Sequence, residues 1–411
     1  MIPFSPPRID DRTVKAVEEA LRSGWITTGP RTKEFERQLA VYCGVEKVIA
    51  LNSWTNACEL VLRWFGIGQG DEVIIPSYTY CATANIVMHV GARPVMVDVL
   101  DDLTMDPEAL ASALGPRTKC IMPVDVGGLP ARMDEIMQVA EAARKDFRPA
   151  GPSLYSGTDP SPQAMLGRPL VLSDAAHSFG ARIDGAAVGA QADITGFSFH
   201  AVKNLTTAEG GALAFHLPPP FDQETLYALF NTMSLHGQSK DALAKTQPGA
   251  WRYDVAFPGY KCNMTDLQAA IGLVELERYD KETLPRRKAI CAHYDAAFKG
   301  DVRFLAPTFT DDRRTSSYHL YMLRVKEASE AQRDAIIQAI AAHGVSVNVH
   351  FQPLPLLSFY AQAGYRIQDH PRALLHYSRE ISLPVYYDLD DAQVQEVVAA
   401  VRRSVAEVIG A

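Results

Sequence analysis

No run of about 18 apolar residues occurs in this chain, so no membrane-crossing helix is expected. The opening MIPFSPPRID has no basic stretch followed by an apolar one, so no secretory leader is expected. Cysteines at metal or redox spacing are missing. The six that occur (Cys43, Cys58, Cys81, Cys120, Cys262, Cys291) are scattered, with no CxxC. They read as reduced, mostly buried thiols of a cytoplasmic protein with no bound metal. Positive charge is not in excess: 40 Lys and Arg stand against 48 Asp and Glu, a net charge of -8. A nucleic-acid surface as the main business is therefore not expected, although a local basic pocket for a phosphorylated ligand stays open. No internal repeat is visible, which excludes solenoids.

What is present is ordinary for a soluble enzyme: 47% hydrophobic and 21% charged residues. A chain of 411 residues can form two domains, or one large α/β unit with an appendage. Residues 10–22 and 32–43 carry helical spacing. Then short apolar runs follow, each bounded by Gly, Pro, Asn or Asp: EKVIALNS, DEVIIPS, RPVMVDV, KCIMPVDV, RPLVLSD, DITGFSF and GGALAF. Such runs suit strands covered on both faces. Helical patterns lie between several of them, so a mainly parallel sheet is expected. From about Met264 the texture changes. A long helical tract, with a bend expected near Leu284–Pro285, precedes a predicted strand YHLYMLRV, a helix EAQRDAIIQAIAAHG, a strand VSVNVHF and a closing helix. The expected organisation is a large domain over 1–258 and a smaller α+β domain over 259–411. Residues 145–168, rich in Pro, Gly and Ser, read as a surface insertion, with a lid or an interface arm as the functional alternative.

In open α/β sheets ligands bind beyond the carboxyl ends of the strands. There the sequence places Ser53-Trp54-Thr55, Ser77 to Tyr80, Asp174 with His177, and Ser198 with His200 and Lys203. A lysine at a strand end is usually a plain loop residue, and Asp174 could simply cap a helix. Their order suggests more. A desolvated lysine is a nucleophile at neutral pH and forms a Schiff base with an aldehyde cofactor. Pyridoxal phosphate further asks for an acidic partner at its ring nitrogen, a phosphate cup and a flat surface against the ring. Asp174, the helix start at Ser53-Trp54-Thr55 with the Ser198 hydroxyl, and Tyr80 suit these three needs.

The stretches SGWITTGPRTKEFE, ALNSWTNACEL, GDEVIIPSYTYCATANIV, GARPVMVDV, DAAHSFGA, FSFHAVKNLTTAEGGAL, GYKCNMTDLQAAIGL and VNVHFQPL together resemble the DegT/DnrJ/EryC1/StrS family of sugar aminotransferases, over nearly the whole length. The resemblance implies the aspartate aminotransferase-like fold type I, with a seven-stranded mixed sheet. It implies that Lys203 bonds the cofactor and shuttles the proton, and that Asp174 meets the pyridine nitrogen. By the same likeness His177 lies on the ring-hydroxyl side, Trp54, Thr55 and Ser198 hold the phosphate, and Tyr80 stacks on the ring. Asn263 matches a residue that reaches the phosphate of a neighbouring subunit, implying a homodimer with shared sites. Thr27, His319, His350 and Phe351 match positions near the sugar. The chain departs from the family at Trp54, which predicts a bulkier phosphate loop, and at Asp125-Val126-Gly127-Gly128, Cys262 and the 145–168 insertion.

The expected reaction passes the amino group of glutamate to the cofactor, giving pyridoxamine phosphate and 2-oxoglutarate, and then to a keto-sugar. C4 of a nucleotide-linked 4-keto-6-deoxysugar, for polysaccharide or lipopolysaccharide, is the expected acceptor. The alternatives are a keto-sugar without a nucleotide, such as an eight-carbon ulosonate, and a non-catalytic ligand sensor of the same fold. Dehydrating relatives carry histidine in place of the lysine, and position 203 is Lys.

Overall fold

The computed structural model describes residues 1–151, 153–156, 160–239 and 252–410. Its centre is a seven-stranded sheet made of β1 (Lys47–Leu51), β2 (Glu72–Pro76), β3 (Arg93–Val97), β4 (Thr118–Ile121), β5 (Leu170–Asp174), β8 (Ile194–Ser198) and β9 (Gly211–Phe215). The two-residue strands β6 (Arg182–Ile183) and β7 (Ala186–Ala187) form a small hairpin between β5 and β8. The order across the sheet is β1-β9-β8-β5-β4-β2-β3. Only β9 runs against its neighbours; the other pairings are parallel. All seven predicted apolar runs are strands of this sheet. Their continuous apolar character follows from burial on both faces, and a parallel pair needs a crossover such as the helix Cys81–His89 between β2 and β3.

A buried ion pair ties two of these strands together at their starts. Arg168 sends two N–H groups to Asp193, at 2.7 and 2.8 Å. Asp193 also accepts from the Val171 N–H of β5, at 2.8 Å. Both side chains are almost fully buried. Here the geometry is bidentate, the arrangement in which a buried pair recovers its desolvation cost.

A second sheet, of β10 (Phe304–Leu305), β12 (Tyr321–Val325) and β13 (Glu380–Leu383), is antiparallel. The two-residue strand β11 (Arg314–Thr315) pairs instead with β6. The helices Glu330–Ala342 and Asp391–Ile409 cover the second sheet, with a core of its own around Tyr321, Leu323, Ile336, Ile381 and Val397. The long helical tract is broken five residues before the expected place. A π-helical turn, Tyr279–Thr283, separates the helices Asp266–Arg278 and Leu284–Phe298. Pro285 fits because it opens the second helix, where its missing N–H has no intrahelical acceptor to lose.

One predicted strand is not formed. VSVNVHF makes only isolated bridges, Ile2 with Val345 and Asn348 with Ser382. The chain passes the edge of the small sheet and turns away. His350 and Phe351 face a cavity instead of continuing a ladder. Its alternating pattern reports two different surroundings, not the two faces of a sheet.

In the insertion, residues 152 and 157–159 lie outside the described ones. The rest packs on the end of the helix Trp54–Trp64. Ser153 donates to the Arg63 carbonyl at 2.6 Å, and the buried Gln163 donates to the Phe65 carbonyl at 2.9 Å. Carbonyls at a helix end that lack intrahelical partners are thereby satisfied.

Arg168→Ala would leave Asp193 buried without its counter-charge. The expected loss is about 3–5 kcal/mol, read as a lowered midpoint in urea unfolding with an unchanged slope.

Candidate active site

The carboxyl ends of the parallel strands open into a cavity of about 330 Å³. It is lined by Ser53, Trp54, Thr55, Tyr80, Asp174, His177, Ser198, Lys203, His319, His350 and Phe351, so eleven residues singled out from the sequence meet in one place. Two do not. Thr27 is exposed, and Asn263 donates to the Thr28 hydroxyl at 2.6 Å, outside the cavity.

Asp174 ends β5 at the middle of the sheet, with only 4% of its surface exposed. The Thr83 hydroxyl donates to its Oδ2 at 2.9 Å and the Ala176 N–H to its Oδ1 at 3.2 Å. Burial dominates and pushes the carboxyl up to about 7, against those two hydrogen bonds and the Lys203 charge, which pull it down. Lys203 is shifted the other way. Burial lowers its amine to about 8, against the pull of Asp174. Each group thus carries less charge than it would in water, and no ion pair holds Lys203 among the described residues.

One side of the cavity is built on the start of the helix Trp54–Trp64. Ser53 caps it by accepting from the Asn56 N–H at 3.1 Å. The first-turn N–H groups of Trp54 and Thr55 have no intrahelical acceptor. At Gly211, the first residue of β9, a Cβ would stand 2.3 Å from the Trp54 nitrogen and 2.4 Å from the Ser53 carbonyl carbon. Only glycine lets the strand come that close. The expected bulk of Trp54 is not in this loop. Its indole is buried in the core against Cys58 and Gly196 of β8, because the helix turns that position toward the sheet.

Three imidazoles line the other wall. His177 and His319 stand 4.3 Å apart by ring centres, and Phe351 stacks on His177 at 5.6 Å. The Gly127 N–H donates to Nδ1 of His177 at 3.3 Å, which leaves the ring proton on Nε2. Asn204 donates its amide to the Ser317 carbonyl at 2.8 Å. Its oxygen therefore accepts from Nδ1 of His319, also at 2.8 Å, and Nε2 of His319 is a free acceptor. Burial and the Lys203 charge hold His177 and His319 neutral, well below the usual histidine range, and take His350 down to about 4.

The unusual Asp125-Val126-Gly127-Gly128 stretch is the shelf under this wall. Gly127 and Gly128 both adopt positive φ, at 69° and 101°. A Cβ on Gly128 would meet the Ser317 hydroxyl at 2.3 Å. Asp125 is buried and accepts from the Ser178 hydroxyl at 2.5 Å and the Ala131 N–H at 2.8 Å.

Several site residues escaped sequence reasoning. Phe4 stacks on His350 at 5.4 Å, brought there by Ile2, whose N–H bonds the Gly344 carbonyl at 2.7 Å. Nothing local in the first residues signals this. Ser382 links Nδ1 of His350, at 2.9 Å, to the buried Glu380. Thr83 was findable. It follows Tyr80 by one helical turn and so faces the same way.

A family model for DegT/DnrJ/EryC1/StrS aminotransferases matches residues 7–144 and 169–402. This chain belongs to that family. The gap between the two matched parts falls on the 145–168 insertion. The aminotransferase is 37% identical over 406 residues to the Bacillus subtilis spore coat polysaccharide biosynthesis protein SpsC, covering 98% of this chain and 96% of that protein. Among solved structures it resembles Streptococcus pneumoniae Spr1654, assigned as a sugar aminotransferase, in its PMP form. The TM-score is 0.93 and the identity 43%, with both chains fully covered. Helicobacter pylori PseC, an aminotransferase of pseudoaminic acid biosynthesis, matches with a TM-score of 0.83 and 26% identity over 98% of this chain and 99% of that one. The fold is accordingly that of the fold-type I pyridoxal-phosphate enzymes, and the family's cofactor is pyridoxal phosphate. The residues fit it. A buried carboxyl short of positive charge matches a ring nitrogen that carries a proton, because the cation favours the carboxylate that accepts from it. Free helix N–H groups closed in by Gly211 match a phosphate.

Two outcomes are expected. Amine labelling of Lys203 in the cofactor-free protein, followed by peptide mass spectrometry, rises with pH through a midpoint near 8. In Asp174→Asn the midpoint moves lower, because the charge that raised the amine's pKa is gone. Gly211→Ala costs about 1–3 kcal/mol through overpacking against backbone and loosens cofactor binding, measured by equilibrium dialysis.

Proposed function

We propose that this aminotransferase moves the amino group of glutamate onto a keto-sugar, with C4 of a nucleotide-linked 4-keto-6-deoxysugar as the acceptor. The product would serve polysaccharide or lipopolysaccharide synthesis in the cytoplasm. The observation that carries the reading is the meeting of Lys203, Asp174 and the Trp54 helix start in one cavity. In this reading residues 1–258 form the large cofactor-binding domain and 259–411 the smaller C-terminal domain. The names of SpsC and Spr1654 support a sugar acceptor.

The roles follow from the chemistry. Asp174 faces the ring nitrogen and keeps it charged. Ser53, Trp54, Thr55 and Ser198 hold the phosphate, and Tyr80 covers the ring. Bound pyridoxal phosphate supplies the electron sink for breaking a C–H bond next to nitrogen. Nζ of Lys203 takes that proton and returns it. An amine near 8 does both at neutral pH. His177 offers an N–H toward the ring hydroxyl. His319 offers a lone pair, which suits a sugar hydroxyl and not a carboxylate. His350 and Phe351 complete that wall. Thr27 and Asn263, which stand outside their own cavity, act on the partner's site in a homodimer.

A second reading keeps the reaction but takes a keto-sugar without a nucleotide, an eight-carbon ulosonate. The 145–168 insertion sets this chain apart from the family pattern, but none of its described residues lines the cavity, so it does not favour this acceptor. A pure ligand sensor has no use for a proton-moving lysine.

With pyridoxal phosphate bound, glutamate is expected to bleach the visible absorbance of the wild type. Lys203→Ala should lose amino transfer roughly 10²–10⁴-fold. Comparing kcat/KM for a nucleotide-linked keto-sugar and a free ulosonate decides the acceptor. An absorbance that glutamate leaves untouched rejects glutamate as donor. Mixing Lys203→Ala with Asn263→Ala subunits tests the shared site. Hybrid dimers regain activity if Asn263 serves the partner, and stay at the level of the parent variants if it serves its own chain.

A further inference from the structure

A second groove, of about 680 Å³, lies between the loop after β3 and the segments around β12 and the residues leading into β13. It shares no lining residue with the cavity of Lys203. Its wall carries six cationic side chains, Arg132, Arg314, Arg324, Lys326, Arg372 and Arg379, in a protein whose net charge is -8. Three carboxylates line it as well. Two of them, Asp102 and Asp311, are taken by Arg314, at 2.8 and 2.6 Å. The third, Asp101, has a side chain 94% exposed to solvent and stands 3.8 Å from His376.

Arg132 and Arg372 have acidic partners of their own, Glu135 and Asp106. Arg324, Lys326 and Arg379 have none within ion-pair distance among the described residues. Arg324 is the telling one. Its residue is only 6% exposed, yet no carboxylate stands within ion-pair distance of it; Asp101, Glu380 and Asp102 act on its charge only from farther off. One arm donates to the Asp101 carbonyl and to Nδ1 of His376, at 2.9 and 2.8 Å. Its Nε is buried with no acceptor, and so is Nε of Arg379. A buried guanidinium with no carboxylate in direct contact is costly, and a ligand that brings an anion into contact relieves that cost. Burial and the Arg324 charge push the neighbouring His376 down to about 4, so it adds no positive charge of its own.

We infer that this groove binds a phosphoanion, with the guanidinium groups of Arg324 and Arg379 and the ammonium of Lys326 as its ligands. Guanidinium forks match phosphate oxygens two at a time, and the lysine adds a point charge. Leu305 and Leu375, 43% and 44% exposed, flank the cations and give an organic remainder somewhere to lie. The ligand class is a phosphorylated metabolite of up to nucleoside-diphosphate size. The site is separate from catalysis, so its failure would leave the aminotransferase reading intact.

The test is calorimetric titration of the cofactor-loaded protein with inorganic pyrophosphate and with adenosine diphosphate. Saturable binding at one per chain is expected, weakening with salt. A Lys326→Ala/Arg379→Gln double variant should lose about tenfold or more in affinity while its cofactor absorbance stays that of the wild type. Lys326→Glu, at an exposed position, gives the same reading if the double variant does not fold. Tighter binding of adenosine diphosphate than of pyrophosphate assigns a nucleotide. Equal binding assigns the phosphates alone as what is read. Absence of saturable binding by either probe, or equal affinity in wild type and variants, overturns the site.

Discussion

A carboxyl group buried at the end of the central strand is the constraint around which the rest is arranged. Asp174 sits where β5 stops, at the bottom of the cavity, with little of it exposed. Left alone it would take up a proton, and burial already brings it to about 7. The Thr83 hydroxyl and the Ala176 N–H hold its two oxygens in place. Lys203, across the cavity, feels the same desolvation with the opposite sign. Neither group is satisfied by the protein alone. The family's cofactor, with a basic ring nitrogen and a reactive aldehyde, would suit both groups.

The histidine wall depends on the same economy of buried polar groups. His177, His319 and His350 are all neutral, and a neutral imidazole is useful only if its tautomer is fixed. Backbone and amide groups fix two of them, Gly127 for His177 and Asn204 for His319. The Asp125-Val126-Gly127-Gly128 departure is thus a scaffold. Its glycines take positive φ so that one backbone N–H can reach a ring, and its aspartate ties the shelf to Ser178. The insertion serves a different end of the molecule. It closes the far end of the Trp54–Trp64 helix, whose near end lines the cavity, and none of its described residues lines the cavity itself.

The alternation of strands and helices was legible because parallel strands buried on both faces leave an unmixed apolar run, bounded by residues that turn the chain. The site was legible for a related reason. Parallel strands all point their carboxyl ends the same way, so polar residues just after such runs must gather. Asp174 and Lys203 could therefore be grouped with Ser53-Trp54-Thr55, more than a hundred residues earlier in the chain. Their family could be recognised from the same stretches.

Other features depended on contacts that no local pattern encodes. Phe4 reaches the site only because Ile2 pairs with Val345. The 345–351 segment alternates like a strand, yet its residues meet two unlike surroundings. Trp54 turns its ring inward because Gly196 leaves room behind it. Thr27 and Asn263 lie together outside their own cavity, a fact of packing that no spacing reveals. The sequence by itself determined the layers, the strand ends and the chemical types that gather there, since these follow from periodicity and burial along the chain. Only the tertiary structure decided which ring carries its proton where, and which charges stay unpaired. Both depend on neighbours that folding brings from distant parts of the chain.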